Sequence, residues 1–172
     1  MSTSVDANDT FASDHGMSNV DVVHRFYEAF ARKDAEAMAA CYADNVHFSD
    51  AAFENLNGSE AGDMWRMLCG RSTDLVVVAS DIRADGNDKV LAHWEATYSF
   101  GPQQRKVLNR IDATFRFNGA GLIVDHADVF DFWTWSRQAL GLPGLLLGWS
   151  PMLKKTVRAR ALAGLVDFRA RR

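Results

Sequence analysis

Cysteine is nearly missing from this sequence, proline is scarce, and no apolar run is long. The two cysteines, Cys41 and Cys69, are too few for a disulfide framework and form no CxxC metal motif. Each sits in an apolar helical pattern, the usual place for a reduced, buried thiol. No segment approaches the roughly 18 unbroken apolar residues that a membrane span needs. The formal net charge of -3 leaves out the basic footprint by which a dedicated nucleic-acid binder displaces counterions from phosphates. Residues 1–17, MSTSVDANDTFASDHGM, have neither a basic start nor an apolar stretch, so a disordered leader is expected there rather than a signal peptide. A cytoplasmic protein is the default expectation.

What is present suits one globular domain with a sizeable core: 172 residues, of which 48% are hydrophobic and 24% charged. Ser18 followed by Asp21 resembles a capping box, and Val22, Val23, Phe26, Tyr27 and Phe30 recur at helical spacing, which predicts a first helix over Asn19 to Arg32. Asp34 can cap a second, short helix carrying Met38, Cys41 and Tyr42. Val46-His47-Phe48-Ser49 then alternates as a strand and delivers Asp50 at its end. Ser59 can cap a third helix with Met64, Trp65, Leu68 and Cys69, stopped by Gly70. After Thr73 come four apolar, β-branched runs separated by turn signals at Asp85-Gly86-Asn87-Asp88, Gly101-Pro102 and Asn118-Gly119-Ala120-Gly121. The expected architecture is α+β: three N-terminal helices over a curved antiparallel sheet, enclosing a largely apolar pocket.

Strand alternation decides which side chains look into that pocket. Val90, Ala92, Trp94, Ala96, Tyr98 and Phe100 share one face, which turns His93, Glu95, Thr97 and Ser99 away. In the next run Val107, Ile111, Ala113, Phe115 and Phe117 point inward with Asn109 as the polar member, and Asp112 points out. In the last strand Leu122, Val124, Phe130 and Phe132 share a face with His126 and Asp128, while Ile123, Asp125, Val129 and Asp131 oppose them. A carboxylate and an imidazole in an apolar concavity must be hydrogen-bonded, and such burial shifts pKa values toward those useful in catalysis. The aromatic set Trp94, Tyr98, Phe115 and Phe130 reads as core with some pocket lining, and His47 as a surface or interface residue. A His-x-Asp pair with no third ligand nearby is not a metal signature, and no cofactor is expected.

The stretches RFYEAFARKDAEAMAACYADNVHFSDA and FRFNGAGLIV resemble the paired N-terminal helices and final hairpin of the ketosteroid isomerase and SnoaL-like polyketide cyclase superfamily, the cone fold shared with nuclear transport factor two. The resemblance spans about Asn19 to Trp133 and implies a pocket for a small apolar molecule and a homodimer. It puts Asp50 at the isomerase's general-base aspartate, and Asp128 at the last-strand aspartate of the cyclases and of limonene epoxide hydrolases. Phe26 and Ala113 fall where the isomerase has its two oxygen-holding donors, with Tyr27 and Asp112 one residue away. Trp94 and Ala96 fall at the epoxide hydrolases' Arg-x-Asp pair. The implied roles are Asp50, His126 and Asp128 for proton transfer, and Tyr27, Trp94, Tyr98, Asn109, Phe115 and Phe130 for holding the substrate. Asp50 can equally be a turn cap, since aspartate often bonds its own backbone at a strand end. A non-catalytic ligand-binding or dimeric assembly module of the same fold is the alternative.

Domain boundaries follow: 18–133 for the cone domain and 134–172 for a C-terminal helical extension. Leu140 to Trp149 is apolar and glycine-rich, and a basic amphipathic helix follows Pro151. From Ser150 onward there are seven basic residues and one acid, a charge of +6 against -9 for the rest. The preferred expectation is a flap over the pocket mouth or against a second subunit. Peripheral contact with an anionic membrane is the sharper alternative.

Overall fold

The computed structural model describes residues 17–172; the leader expected over residues 1–17 lies almost wholly outside them. The first described element is α1 (Asn19–Ala31), and both bonds of the Ser18–Asp21 capping box are formed. Its apolar stripe is buried, with Val23, Phe26 and Ala29 fully inaccessible. Asp34 caps α2 (Ala35–Ala39) by accepting from the Ala37 amide. That helix is shorter than expected, and Tyr42 belongs to strand β1 (Tyr42–Ser49). After the two-residue β2 (Leu56–Asn57), α3 (Ser59–Arg71) starts without a side-chain cap and runs past Gly70. Its cap position is Gly58 at φ +57°, where a Cβ would lie 2.8 Å from the Asp44 carbonyl, so the turn admits glycine and Ser59 is already helical.

Strands β3 (Val76–Ala84), β4 (Lys89–Phe100), β5 (Arg105–Phe117) and β6 (Ile123–Val129) form the expected meander. The six strands are ordered β2-β1-β6-β5-β4-β3. Every pairing is antiparallel except β1 with β6, which is parallel. A register shift on both sides of β6 between Ile123 and Asp125 reverses the expected alternation at its start: Ile123 is fully buried, whereas Leu122 and Val124 are only partly so. From His126 onward the phase is the expected one, with His126 and Asp128 inward and Val129 exposed. The curved sheet is thus covered on its inner face by α1 and α3. On the outer face His93 pairs with Asp112 at 2.8 Å and Glu95 with Arg110 at 2.7 Å, as alternation requires.

The chain after β6 folds into α4 (Phe132–Leu140), α5 (Leu142–Leu147) and α6 (Pro151–Ala170). Asp131, read as opposing the inward set, caps α4 by accepting from the Trp133 and Thr134 amides. Gln138 fixes α4 to β5, bonding both the amide and the carbonyl of Leu108. The α6 helix packs on α3, burying Leu165, while Asp63 on α3 accepts hydrogen bonds from Arg169 and Arg172. Arg158 bonds the Ala51 carbonyl at 3.0 Å and pairs with Glu54. Three basic residues of the extension, Arg158, Arg169 and Arg172, therefore find carboxylates on the same chain.

Candidate active site

A cavity of about 590 Å³ lies between the inner face of the sheet, α3 and the C-terminal helices. Its floor and walls are mostly apolar: Phe30, Phe48, Met64, Trp65, Ile111 and Phe132 are among the lining side chains. Exposed lining residues, Arg71, Thr73, Gly101, Gln104 and Arg160, mark the rim.

Three carboxylates line this space: both oxygens of Asp74 are taken up by Ser99 and Lys106, which leaves Asp128 and Asp50. Asp128 comes from the inward phase of β6, directly opposite Ala113 on β5, which is itself opposite Ala92 on β4. The row of small residues leaves room for the Trp94 indole to reach across and donate to Asp128 Oδ1 at 3.3 Å. His126 Nε2 bonds the same oxygen at 3.1 Å. Asp128 Oδ2 has no protein partner among the described residues. Asp50 stands where β1 ends; its Oδ1 accepts from the Ala52 amide at 2.7 Å and from the Phe53 amide. Asp50 is therefore a turn cap and a cavity residue at once, with its second oxygen also uncommitted. Burial raises the Asp50 pKa to about 6, with the Phe53 amide pulling the other way and the charge of Asp128 adding to the rise.

Behind Asp128 runs a buried hydrogen-bonded chain whose direction can be worked out. Trp65 Nε1 can only donate, and it donates to the Tyr42 hydroxyl at 2.8 Å. That leaves the hydroxyl proton to go to His126 Nδ1, 2.7 Å away. His126 then carries its own proton on Nε2 and gives it to Asp128. The phenol is kept protonated: burial pushes the Tyr42 pKa well above its ordinary value, against the pull of the Trp65 bond. The imidazole is clamped by aromatic rings, with Phe115 at 4.1 Å and Phe48 at 5.1 Å between centroids. This network puts the His126 proton on Nε2, with Nδ1 accepting from Tyr42.

Of the residues singled out from the sequence, Asp50, Asp128, Trp94, Tyr98, Asn109 and Phe130 line the cavity. Tyr98 also accepts from Trp135 Nε1 of α4 at 2.8 Å, tying the extension to the wall. His126 stands one layer behind the wall. Phe115 and Tyr27 are core residues outside it: both share the aromatic cluster around Phe26, and the Tyr27 hydroxyl is buried with no partner among the described residues. Phe26 packs its ring 5.5 Å from His126. His47 bonds Asp125 at 2.9 Å across the β1–β6 pair. Tyr42 and Trp65 were missed as site residues. Alternation traced back from Phe48 and Val46 does not reach Tyr42, because the intervening Asp44 is exposed and the register with β6 shifts there. Among the described residues no cluster of three His, Cys, Asp or Glu side chains is arranged to hold a metal ion, and no helix is long and apolar enough to cross a membrane.

The fold and cavity define the class first: a cone-shaped α+β domain of the kind shared with nuclear transport factor two, built around an internal chamber. The chain belongs to the SnoaL-like domain family, whose pattern matches residues 23–126. Solved structures of the same fold include a limonene-epoxide-hydrolase-like epoxide hydrolase of M. tuberculosis, 22% identical, with a TM-score of 0.60 over 75% of this chain and 92% of that one. A polyketide cyclase-like protein of Pseudomonas putida KT2440 aligns at 16% identity and a TM-score of 0.61, over 72% of this chain and 99% of the other. The epoxide hydrolase/cyclase-like enzyme SalBIII, which acts in pyran ring formation in salinomycin, aligns at 12% identity and a TM-score of 0.58, over 65% and 89% of the two chains. At such identities the likeness is one of fold. No curated protein matches the chain by sequence.

Proposed function

We propose that this chain is a cofactor-independent enzyme that moves a proton on a small, mostly apolar, oxygen-bearing molecule, as an isomerase, cyclase or hydratase does. One observation carries the reading: on a mostly apolar wall Asp50 and Asp128 each commit one oxygen to protein donors and leave the other without a protein partner among the described residues. A base works best when its pKa lies near the working pH, and Asp50 at about 6 meets that condition for removing a proton beside a carbonyl. Asp128 is the second acid-base group. His126, steered by Tyr42, holds or supplies its proton, and Asn109 on the neighbouring strand β5 steadies a substrate oxygen. With Trp94 and Ala96 at the places of the Arg-x-Asp pair, epoxide opening is not the reaction put forward. A homodimer formed through the outer sheet face and a cytoplasmic setting belong to the same reading, supported by the family resemblance and by two free, buried cysteines.

The test is proton exchange. A panel of apolar cyclic ketones and enones in D2O, followed by NMR, should show protein-dependent exchange next to the carbonyl for at least one member. Asp50→Asn and Asp128→Asn should each slow it by about 100-fold or more, the scale of general acid-base catalysis. Full exchange in both variants would remove the assignment.

A second reading, a ligand-binding module without chemistry, is favoured by Phe26 and Ala113, which put no hydrogen-bond donor at the two oxygen-holding places. It predicts ligand binding that survives both Asn substitutions and no exchange with any ketone.

A further inference from the structure

The α5 segment presents an apolar surface that the fold does not cover. Leu142, Leu146, Trp149 and Met152 are between 66% and 76% exposed, and Leu145 and Leu147 lie beside them. This exposure is built in. The inner face of α5 is glycine: a Cβ on Gly144 would lie 1.9 Å from the Ser136 carbonyl, and one on Gly148 would lie 2.1 Å from Ser136 Oγ. The short helix is therefore pressed on the backbone of α4, and its leucines have only the outside to face. Trp133 donates to the Leu145 carbonyl at 3.4 Å and carries the Arg137 guanidinium 4.1 Å above its ring, which extends the patch and edges it with charge.

Charge names the occupant. From Phe132 to Val166 there is no acidic residue, while Arg137, Lys154 and Lys155 flank the leucines. None of these three has an ionic partner among the described residues, unlike Arg158, Arg169 and Arg172 further along. The lysines also stand near the N-terminus of α6, where the helix dipole disfavours cations and where no acid balances them. An isologous contact between two copies would bring these like charges together. An anionic bilayer would neutralise them while taking up the leucines and seating the tryptophans at the headgroup level.

We propose that the protein docks on anionic membranes through α5. Its neighbours α4 and α6 supply Trp135, Leu140, Val157 and Ala161 to the cavity wall, so docking sets the chamber beside the lipid, where an apolar substrate concentrates. The inference is independent of the chemistry inside the cavity, since exchange on soluble ketones needs no vesicle.

Cosedimentation of the full chain with vesicles of phosphatidylcholine, alone or mixed with phosphatidylglycerol, tests it. Binding is expected to the mixed vesicles at low salt, not to the neutral ones, and should be released by high salt. Lys154→Glu with Lys155→Glu should weaken it by at least about tenfold, given roughly fivefold per lost cation. Trp149→Asp should abolish it with an unchanged circular dichroism spectrum, and Leu146→Asp is the second variant should that one misfold. Wild-type tryptophan fluorescence should be quenched by brominated-chain lipid. A chain that stays in the supernatant with anionic vesicles at low salt would overturn the proposal. So would binding indifferent to all these variants, or a dimer that Trp149→Asp dissociates in a protein that binds no vesicle.

Discussion

His126 Nε2 lies 3.1 Å from Asp128 Oδ1, and the proton between them belongs to the histidine because Tyr42 occupies the other ring nitrogen as a donor. The carboxylate is thereby held on one oxygen by two N–H donors, His126 and Trp94, and its second oxygen has no partner among the described residues.

Long-range proton–nitrogen NMR correlation should accordingly find His126 protonated on Nε2 and accepting on Nδ1 at neutral pH. The opposite tautomer would reverse the chain from Trp65 to Asp128.

Two tyrosines give a matched pair of stability tests. Tyr42→Phe strips the partner from two buried groups, Trp65 Nε1 and His126 Nδ1, and should destabilise the fold by about 2 kcal/mol in urea unfolding. Tyr27→Phe removes a buried hydroxyl that bonds nothing among the described residues, so it should leave stability unchanged or raise it by up to about 1 kcal/mol. Equal losses in both would mean that the Tyr27 hydroxyl has a partner.

Asp50 makes stability fall with rising pH. Its folded pKa of about 6 lies above the ordinary 3.8, so between those values the native state binds more protons than the unfolded state. The folded state keeps this contribution below about pH 4 and loses it as pH climbs through 6. Asp50→Asn retains an oxygen for the Ala52 and Phe53 amides but carries no charge. At pH 8 it should be more stable than wild type by roughly 3 kcal/mol, with the difference vanishing below pH 4. A variant less stable than wild type at pH 8 would contradict the burial of an ionised carboxylate here.

The contact between α4 and α5 admits no side chain at Gly144. Gly144→Ala should force the two helices apart at a cost of about 2 kcal/mol locally. Hydrogen exchange should quicken in α4 and α5 while the amides of β4 and β5 stay protected.

Much of this geometry can be read from residue order. Alternation in β4 and β5 sorts His93, Glu95 and Asp112 from Trp94, Tyr98 and Asn109 because long antiparallel strands keep a strict period of two. The pairing of His126 with Asp128 follows from the same rule. It fails where local chemistry breaks the period: the bulge before Asp125 turns Ile123 inward, and nothing in Leu122-Ile123-Val124 marks it. Tyr42 is hidden because the alanines before it suit a helix, while the parallel partner that makes it a strand residue, β6, arrives some eighty residues later. Which extension residues meet the core is likewise a tertiary matter: Leu165 is buried and Leu162 half exposed on one helix of low amphipathic contrast. The dual position of Asp50, capping a turn and facing the cavity, joins two readings that the sequence holds apart.

The most direct measurement is the pH dependence of ketone proton exchange. With Asp50 as base, the wild-type rate should climb about tenfold per pH unit below 6 and level off above it, and the step should disappear in Asp50→Asn. A profile without a step near pH 6, or one that Asp50→Asn leaves in place, would contradict proton transfer by Asp50.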